Sequence, residues 1–220
     1  MEESKQIKVS NAVRDRLPRY YRFLRELLEN DILRISSSEL SKLMNVTASQ
    51  IRQDLNCFGG FGQQGYGYNV KKLHAKIADI LGANEAYNAV IIGAGHLGYA
   101  LAGASTFSNR GVLLKALFDV DPSVIGKEYN GLTVYSMDCL AEYCMDNRVD
   151  IAVLTVPKSV ASEIGEKLAD IGIKGIWNFT GVELKLMDRV TVQNVHLGDR
   201  LMTLCYEIKN NNKSNKDDMQ

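Results

Sequence analysis

The sequence lacks several features that define whole classes of protein. Its 220 residues include 3 prolines, and its 18 glycines follow no period, which excludes a collagen-like chain. No apolar run approaches the roughly 20 residues that a membrane-spanning helix needs. The first six residues contain no apolar stretch of the signal-peptide type, so we expect a protein of the cytoplasm that does not act at a membrane.

Cysteine is scarce and irregularly spaced. The four cysteines form no CxxC pair; they are Cys57, Cys139, Cys144 and Cys205. That spacing favours neither a zinc site nor a disulfide framework, so we expect reduced thiols and no bound metal. What the chain does contain, 45% hydrophobic and 24% charged residues, is a globular composition that can form one large core or two smaller ones.

The charge balance differs between the two parts of the chain, although the formal net charge is zero. Residues 1–80 hold 13 basic and 9 acidic side chains, whereas residues 81–220 hold 13 and 17. A basic first part and an acidic second part suggest two modules with different partners.

Three helices are predicted in the basic part. The first spans Arg16 to Glu29, with Pro18 near its first position, where a missing N–H costs little. The second and third begin at Ser36 and Thr47, each followed three residues later by a Glu or Gln that completes a capping box. Two helices joined by a short break, with a polar outer face, are typical of a helix-turn-helix, whose second helix fits the major groove of DNA.

A segment rich in glycine and aromatic residues, Phe58–Val70, follows the third helix directly. It favours a tight β-hairpin, or wing, whose backbone can approach phosphate or enter the minor groove. The alternative is a small helical bundle with solvated arginines and a flexible glycine linker. Contacts with double-stranded DNA are predicted for Arg14, Arg16, Thr47, Ser49, Gln50, Arg52, Gln53, Asn56, Gly65, Tyr66, Gly67 and Tyr68.

A second motif lies between a strand and a helix. The apolar strand Asn88–Ile92 runs into the GxGxxG turn Gly93–Gly98, and a helix is predicted from Tyr99 to Phe107. In such a turn the first glycine allows the bend, the second admits a pyrophosphate to the backbone, and the third lets the helix pack on the strand. Free N–H groups and the positive dipole end at the helix start attract the diphosphate. The alternative is a tight turn that holds no ligand.

An acid follows the next strand. Val112–Phe118 ends at Asp119, where a carboxylate accepts hydrogen bonds from the adenosine ribose and repels a 2′-phosphate, so NAD(H) is favoured over NADP(H). Asp121 is a second candidate, unless it is only a turn residue before Pro122. Cofactor binding is predicted for Gly93, Ala94, Gly95, His96, Leu97, Gly98, Asp119, Val120, Asp121, Thr155, Val156, Pro157, Asn178, Phe179 and Thr180.

Later segments keep an α/β alternation that predicts a doubly wound parallel sheet. Strands are expected at 150–157, at 173–179 and around 191–195, with a helix over 159–170. Because ligands lie beyond the carboxyl ends of such strands, residues 155–157 and 178–180 are candidates for a nicotinamide pocket, or else ordinary loop residues. A last helix carries an apolar stripe that can pack on its own sheet or on a partner's, and residues 210–220 are expected to be a disordered tail.

Together these blocks resemble the Rex family of bacterial redox-sensing transcriptional repressors, over residues from about 10 to 208. The resemblance rests on four segments in this order and spacing: RLPRYYR at 16–22, QIRQDL at 50–55, GYGYNV at 65–70 and GAGHLG at 93–98. It implies an α/β protein with a winged helix-turn-helix domain (1–81), a Rossmann NAD(H)-binding domain (82–196) and a C-terminal helix (197–209). It also implies a homodimer that exchanges this helix, and a repressor that binds operator DNA with NAD⁺ or no cofactor and releases it with NADH.

Five positions depart from the family pattern. Gln53, Gln63 and Gln64 stand where basic residues are usual, which implies fewer phosphate contacts and a shallower salt dependence. Ala104 stands where the family usually has a tyrosine, and His196 where it usually has an aspartate. Because the family's nicotinamide-dependent switch uses those two groups, the details of sensing are expected to differ here, whereas NAD(H) binding is not; His196 is expected to be a surface histidine.

Two other functions remain open at this stage. An NAD-dependent dehydrogenase would explain the GxGxxG half, but the residues after that turn complete a nucleotide-binding fold and leave no substrate domain. The other is a DNA-binding regulator that senses a different nucleotide. We expect ligand discrimination rather than catalysis.

Overall fold

The computed structural model describes residues 10–58, 62–63, 66–104, 107, 110–186 and 188–217. The chain divides into two compact units, Met1–Glu85 and Ala86–Gln220. The division lies a few residues beyond residue 81, where the sequence places the domain boundary. Each unit is described below by itself.

The first unit is a helical bundle with a small antiparallel sheet. Its elements are α1 (Asn11–Glu29), β1 (Arg34–Ile35), α2 (Ser37–Met44), α3 (Ala48–Asn56), β2 (Gly62–Gln63), β3 (Gly67–Asn69) and α4 (Val70–Ile80). The strand order is β1-β3-β2. The apolar faces of the four helices meet in one core, in which Tyr20, Leu40, Ile51 and Leu73 are fully buried.

Helix α1 begins earlier than the sequence predicts. Its N-cap is Ser10, whose hydroxyl accepts a hydrogen bond from the Val13 N–H at 3.4 Å. Val13 is buried in the same core, so the apolar face extends one turn further toward the N-terminus than the segment starting at Arg16. Pro18 therefore lies inside the helix and not in the first turn, where its missing N–H would have been harmless.

Helices α2 and α3 form the predicted helix-turn-helix. Ser36 caps α2 with a reciprocal bond from its own N–H to Glu39, which is the expected capping box. Asn45 ends α2 in the left-handed region at φ 51°, which turns the chain toward the next helix. Thr47 caps α3, but the side chain of Gln50 does not return to the cap, so the second predicted capping box lacks its reciprocal bond.

The second unit is a doubly wound α/β fold. Its elements are β4 (Tyr87–Ile92), α5 (His96–Ala102), β5 (Val112–Asp119), β6 (Glu128–Tyr129), β7 (Leu132–Ser136), a 3₁₀ turn (Met137–Cys139), α6 (Leu140–Asp146), β8 (Ile151–Leu154), α7 (Lys158–Asp170), β9 (Gly175–Asn178), β10 (Thr191–Asn194) and α8 (Leu197–Asp217). The strand order is β10-β9-β8-β4-β5-β7-β6. Every pairing in this order is parallel except that of β6 with β7.

The sheet is buried on both faces. Alternate residues of β4 enter two different cores: Val90 and Ile92 join one with α6 and α7, whereas Ile91 joins another with α5. This alternation follows from the two-residue period of a strand. Burial on both faces suits the apolar run Ala89–Ile92 of a strand that lies in the middle of the sheet.

Several boundaries differ from the sequence-based prediction. Helix α5 ends at Ala102 rather than at Phe107, because Gly103 and the small polar residues after it have weak helix propensity. The β6–β7 hairpin and α6 were not anticipated, because elements of two, five and seven residues leave little periodic signal. Helix α8 continues to Asp217, although the sequence predicts a disordered tail from residue 210.

Candidate nucleotide site and nucleic-acid interface

The glycine turn after β4 is held by contacts that only glycine permits. Gly93 has φ 101°, and a Cβ there would lie 2.9 Å from the Thr155 carbonyl oxygen. A Cβ on Gly98 would lie 2.0 Å from the Gly93 carbonyl oxygen. A Cβ on Gly95, by contrast, would meet no atom within 4 Å. Two glycines therefore allow the backbone to pack closely, and the middle one leaves open space in front of the turn.

Asp119 lies at the end of β5 and is fixed against this turn. One carboxylate oxygen accepts the Ala94 N–H at 2.6 Å. The other accepts the N–H groups of Val120 and Asp121 at 2.7 and 2.9 Å. Three main-chain donors thus orient the carboxylate before any ligand arrives, and part of its accepting capacity remains available.

A cavity of about 860 Å³ opens beside the glycine turn, a size that suits a small organic ligand or cofactor. It brings together seven of the predicted residues: Gly93, Gly95, Asp119, Val120, Thr155, Val156 and Pro157. In the described chain, its lining does not include Ala94, His96, Leu97, Gly98, Asp121, Asn178, Phe179 or Thr180. Ala94 is buried, and Gly98 is buried where α5 packs on the turn.

Sequence reasoning missed one wall of this cavity. Met137 and Asp138 follow β7, and Val160, Glu163, Ile164 and Lys167 project from α7. The α7 residues share a face at helical spacing. Their helix begins directly after Pro157, so that spacing was a usable signal, whereas the residues after β7 depend on a strand that was not predicted.

The polar groups at the ends of β8 and β9 are engaged within the protein. The Thr155 hydroxyl lies 3.0 and 2.9 Å from the carbonyl oxygens of Ile92 and Gly93 and so supports the turn. Asn178 is 1% exposed. Its side-chain NH₂ donates to the main-chain oxygen of Val182 and to the side-chain oxygen of Asn194. Its side-chain oxygen accepts hydrogen bonds from the N–H and the hydroxyl of Thr180. Asn178 and Thr180 therefore differ from the expectation of a free pocket lining, because they hold the loop after β9 together.

The outer face of α3 presents polar side chains to solvent. The exposed residues are Ser49, Arg52, Gln53 and Asn56, with Thr47 exposed at the N-cap and Arg14 exposed on α1. Arg52 donates to the Ser37 hydroxyl at 3.1 Å, which links the two helices of the motif. This face offers the donors and acceptors that a base edge in the major groove requires.

Arg16 and Gln50, for which the sequence predicts DNA contacts, bind a buried acid in the structure. Both donate to Asp54, which is fully buried: Arg16 through two nitrogens at 2.6 and 2.8 Å, and Gln50 at 2.7 Å. The Tyr20 hydroxyl adds a bond at 2.9 Å. Burial alone would raise the pKa of Asp54, but these hydrogen bonds and the guanidinium charge hold the pKa below its usual value. The cluster fixes α3 against α1.

The wing residues fall into three groups. Tyr66 is 70% exposed, with the Arg34 guanidinium 5.8 Å from its ring centre. Gly67 has φ 69°, and a Cβ there would lie 2.6 Å from the Ile35 carbonyl oxygen, so β1 and β3 approach closely. Tyr68, for which the sequence predicts a DNA contact, is 7% exposed and belongs to the core, so its ring supports the wing from inside. Gly65 and Gln64 lie outside the described residues.

Neither a metal cluster nor a membrane span is found where the structure describes the chain. No group of three or more His, Cys, Asp or Glu side chains is positioned to hold a metal ion there. In the same residues, none of the helices combines the length and the apolar character needed to cross a bilayer. The four cysteines are free thiols, and burial raises the pKa of Cys144 to about 11.

Comparison with known proteins agrees with both units. Residues 84–182 match the CoA binding domain family, and residues 8–56 match a family described as a DNA-binding protein N-terminus. A protein of Thermoanaerobacter pseudethanolicus named redox-sensing transcriptional repressor Rex is 50% identical over 205 residues, which cover 93% of this chain and 92% of that protein. A protein of Clostridium botulinum (strain Alaska E43) with the same name is 48% identical, covering 91% and 95%.

Solved structures give the same result. A structure described as RSP with β-NAD⁺ and operator DNA superposes with a TM-score of 0.86 at 48% identity, covering 95% of this chain and 96% of that one. RSP with β-NADH gives 0.86 at 45% identity, covering 94% and 98%. Fold and site together define a helix-turn-helix regulator of transcription joined to a Rossmann nucleotide-binding unit. The chain belongs to the Rex family of redox-sensing transcriptional repressors.

Proposed function

We propose that this chain is a transcriptional repressor that senses the NADH/NAD⁺ ratio, binding operator DNA with NAD⁺ or without cofactor and releasing it with NADH. One observation carries the proposal. A helix-turn-helix unit and a glycine turn with Asp119 occur in one chain, and Rex repressors about half identical in sequence match it over nine-tenths of its length. A repressor acts where the chromosome is, so we propose a cytoplasmic location.

The residues of the second unit fit a dinucleotide. The backbone at Gly95 faces open space in which a diphosphate can lie, since no Cβ fills it, and Gly93 lines the same cavity. Asp119 is oriented to accept hydrogen bonds from ribose hydroxyls and would repel a phosphate on them. Val120, Val156 and Ile164 supply an apolar wall suited to a purine ring. When bound, the nicotinamide supplies a ring that is positively charged when oxidised and neutral when reduced.

We assign base contacts to the exposed face of α3. Arg52 suits a guanine edge, and Gln53 and Asn56 suit adenine. Arg14 and the wing residue Tyr66, with Arg34 beside it, are placed to contact the DNA backbone. Arg16 and Gln50 act indirectly, because both are bound to Asp54.

We further propose a homodimer in which α8 is exchanged. Its side chains are exposed throughout residues 197–209. The apolar ones, Leu197, Leu201, Met202, Leu204, Tyr206 and Ile208, are between 50% and 69% exposed. Such a stripe on one helix is costly in water and is typical of a surface that a second copy covers. A dimer also suits an operator with two half-sites.

Catalysis is not part of this proposal. The relatives are named as repressors over nearly their whole length, so a dehydrogenase is not favoured. In the switch we propose, the protein gains its effect from unequal affinity for the two oxidation states, because a ligand shifts an equilibrium only by its differential affinity.

The test is operator binding by the purified chain, followed by fluorescence anisotropy during titration with NADH, NAD⁺ or NADPH. NADH is expected to weaken operator affinity by about tenfold or more, in the range of ordinary coupling energies, while NAD⁺ leaves it unchanged. NADPH is expected to act only at much higher concentration because of Asp119. Equal release by NADH and NAD⁺ would refute redox sensing.

A further inference from the structure

The direction of α8 depends on very few contacts. Strand β10 ends at Asn194, and α8 begins at Leu197. Because the side chains of α8 are exposed through residue 209, packing on its own sheet does not orient the helix. Its direction is set by Val195 and His196 and by whatever holds them.

The carboxylate of Glu183 contacts the residues on both sides of Val195. One oxygen of Glu183 accepts the Asn194 amide at 2.8 Å, and the other lies 2.8 Å from Nε2 of His196. Val195 lies between these two residues, and its N–H donates to the main-chain carbonyl oxygen of Asn178 at 2.8 Å. The side-chain oxygen of Asn194 accepts a hydrogen bond from the side-chain NH₂ of Asn178 at 2.7 Å. Glu183 is therefore the last member of a hydrogen-bonded group that ends where α8 begins.

We infer that Glu183 is a positioning residue that sets the direction in which α8 leaves the sheet, through its contacts with Asn194 and His196. The inference rests on the proposed function, in which α8 is the element that a second copy holds. It goes beyond that function because it assigns the orientation of α8 to a residue of the loop after β9.

The hydrogen-bonded group also reaches the wall of the nucleotide cavity. Asn178 is paired with Leu154 in the sheet, and the Phe179 N–H donates to the Leu154 carbonyl oxygen at 2.9 Å. Leu154 is followed directly by Thr155, which lines the cavity. A ligand that moves the end of β8 can therefore act on Asn178, and through Asn194 and Glu183 on the start of α8.

The contact between Glu183 and His196 is partly exposed to solvent. In the described chain, the charged side chain that faces the imidazole is Glu183, on the loop after β9; from α8, Asp199 contributes its main-chain N–H to the His196 carbonyl oxygen at 3.2 Å. The side chains of His196 and Glu183 are 30% and 66% exposed, so water screens the attraction. A change of about two- to fivefold is the scale expected of such a pair.

The experiment uses the full-length chain and four variants. Glu183→Gln keeps the shape and removes the charge; His196→Asp places two carboxylates together; the double variant His196→Asp/Glu183→Gln relieves their repulsion. Asp188→Asn is the control, since it is the same acid-to-amide change on an exposed residue of the same loop, and its φ of 59° suits asparagine. For each variant we would measure NADH affinity and the NADH concentration that releases half of the operator.

Glu183→Gln is expected to shift the release midpoint about threefold, with NADH affinity changed less. His196→Asp is expected to displace the midpoint as well, and the double variant to restore it in part. An unchanged midpoint in Glu183→Gln, or the same effect in Asp188→Asn as in Glu183→Gln, overturns the inference.

A readout without DNA separates this inference from the proposed function. Hydrogen exchange of the amides at 195–200, followed by mass spectrometry, is expected to speed up in Glu183→Gln and not in Asp188→Asn. If NADH fails to release DNA from the unmodified chain, the proposed function is wrong, while the exchange result still decides whether Glu183 fixes the start of α8. Equal exchange in the two variants refutes the positioning role.

Discussion

At the scale of single residues, Asp54 organises the first unit. It is a carboxylate without solvent contact, and it accepts bonds from Arg16, Gln50 and Tyr20 on two helices. An unpaired charge in that position would be costly, so the partners are as necessary as the acid. The residue that fixes the DNA-facing helix therefore lies on its inner side.

We expect Asp54→Ala to lower the free energy of unfolding of the first unit by about 3 kcal/mol, because Arg16 loses its partner in a mostly buried place. Urea denaturation checks this value. The double variant Arg16→Met/Asp54→Ala is the control and is expected to cost less than the sum of its single changes, since it leaves no unpaired charge. A loss below about 1 kcal/mol in Asp54→Ala would contradict the assignment.

A histidine in the first unit predicts a pH dependence. His74 stacks on Tyr21 with ring centres 4.6 Å apart, and burial, together with the nearby charge of Arg25, lowers its pKa below the usual value. The fold thus favours the neutral ring. Stability from this group is present above about pH 6.5, the unfolded value, and is lost as pH falls below it because the unfolded chain binds the proton more tightly.

We therefore expect the urea midpoint of the first unit to fall between about pH 7 and about pH 5, and to fall less in His74→Phe, which keeps the stacked ring and cannot titrate. The other two histidines, His96 and His196, lie in the second unit, so His96→Gln serves as the control. The same slope in His74→Phe and in the unmodified chain would contradict this origin.

At the scale of elements, α3 and the glycine turn each have some residues that pack against the protein and others that are available to a ligand. Helix α3 has an inner side that binds α1 through Asp54 and an outer side that is free for a ligand. The glycine turn has two glycines that contact protein and one that faces the cavity. Substitutions on the two sides of each element should therefore have different effects.

For α3, we expect Arg52→Met to weaken binding to the operator by about tenfold or more, with a smaller effect on a random duplex and none on NADH affinity. Fluorescence anisotropy with both duplexes measures this difference. Lys127→Met removes the same charge from an exposed site in the second unit and is expected to leave operator binding unchanged. Equal losses on both duplexes would indicate a phosphate contact and not base recognition.

For the turn, we expect Gly95→Ala to keep the melting temperature of the protein, since the added methyl group meets no protein atom. The same methyl group would occupy the space assigned to the diphosphate, so NADH affinity is expected to fall by about tenfold or more. Gly98→Ala is expected to destabilise the second unit, because the methyl group collides with the Gly93 carbonyl. Gly175→Ala, which makes only ordinary contacts, is the control. Unchanged NADH affinity in Gly95→Ala would remove the diphosphate assignment.

The sequence predicts elements whose signals are local. Ser36 with its acid three residues later, and the glycine turn between strand and helix, have short spacings and are found where expected. The pairing of Arg16 with Asp54 spans 38 residues, and no local pattern reports it. The burial of Tyr68 was not predicted either, because a glycine-rich hairpin gives no alternation that shows which face is buried.

At the scale of the whole molecule, two units with separate cores are joined in one chain, and among the described residues no side chain of α8 belongs to those cores. In the dimer that we propose, a second copy covers the apolar stripe of α8, and the oligomeric state is a property of that helix and not of the two folded units.

We expect a chain that ends at His196 to be monomeric by light scattering, at concentrations where the full chain is a dimer. It should also bind the operator more weakly, because one half-site is read instead of two. The point variant Leu201→Asp, on the exposed stripe, is expected to act in the same direction, and Asp199→Asn is the control. A dimeric truncated chain would contradict helix exchange.

The three main-chain bonds to Asp119 have a consequence for redesigning coenzyme preference. The acid that we propose to reject a phosphorylated ribose also joins the end of β5 to the glycine turn, through the hydrogen bond from the Ala94 N–H. Exchanging Asp119 for a neutral residue would admit the 2′-phosphate of the ribose. The same exchange would remove a hydrogen bond that holds the glycine turn, where the diphosphate is proposed to lie. A variant that accepts the other coenzyme therefore needs a new acceptor for the Ala94 amide, placed where it does not face the sugar.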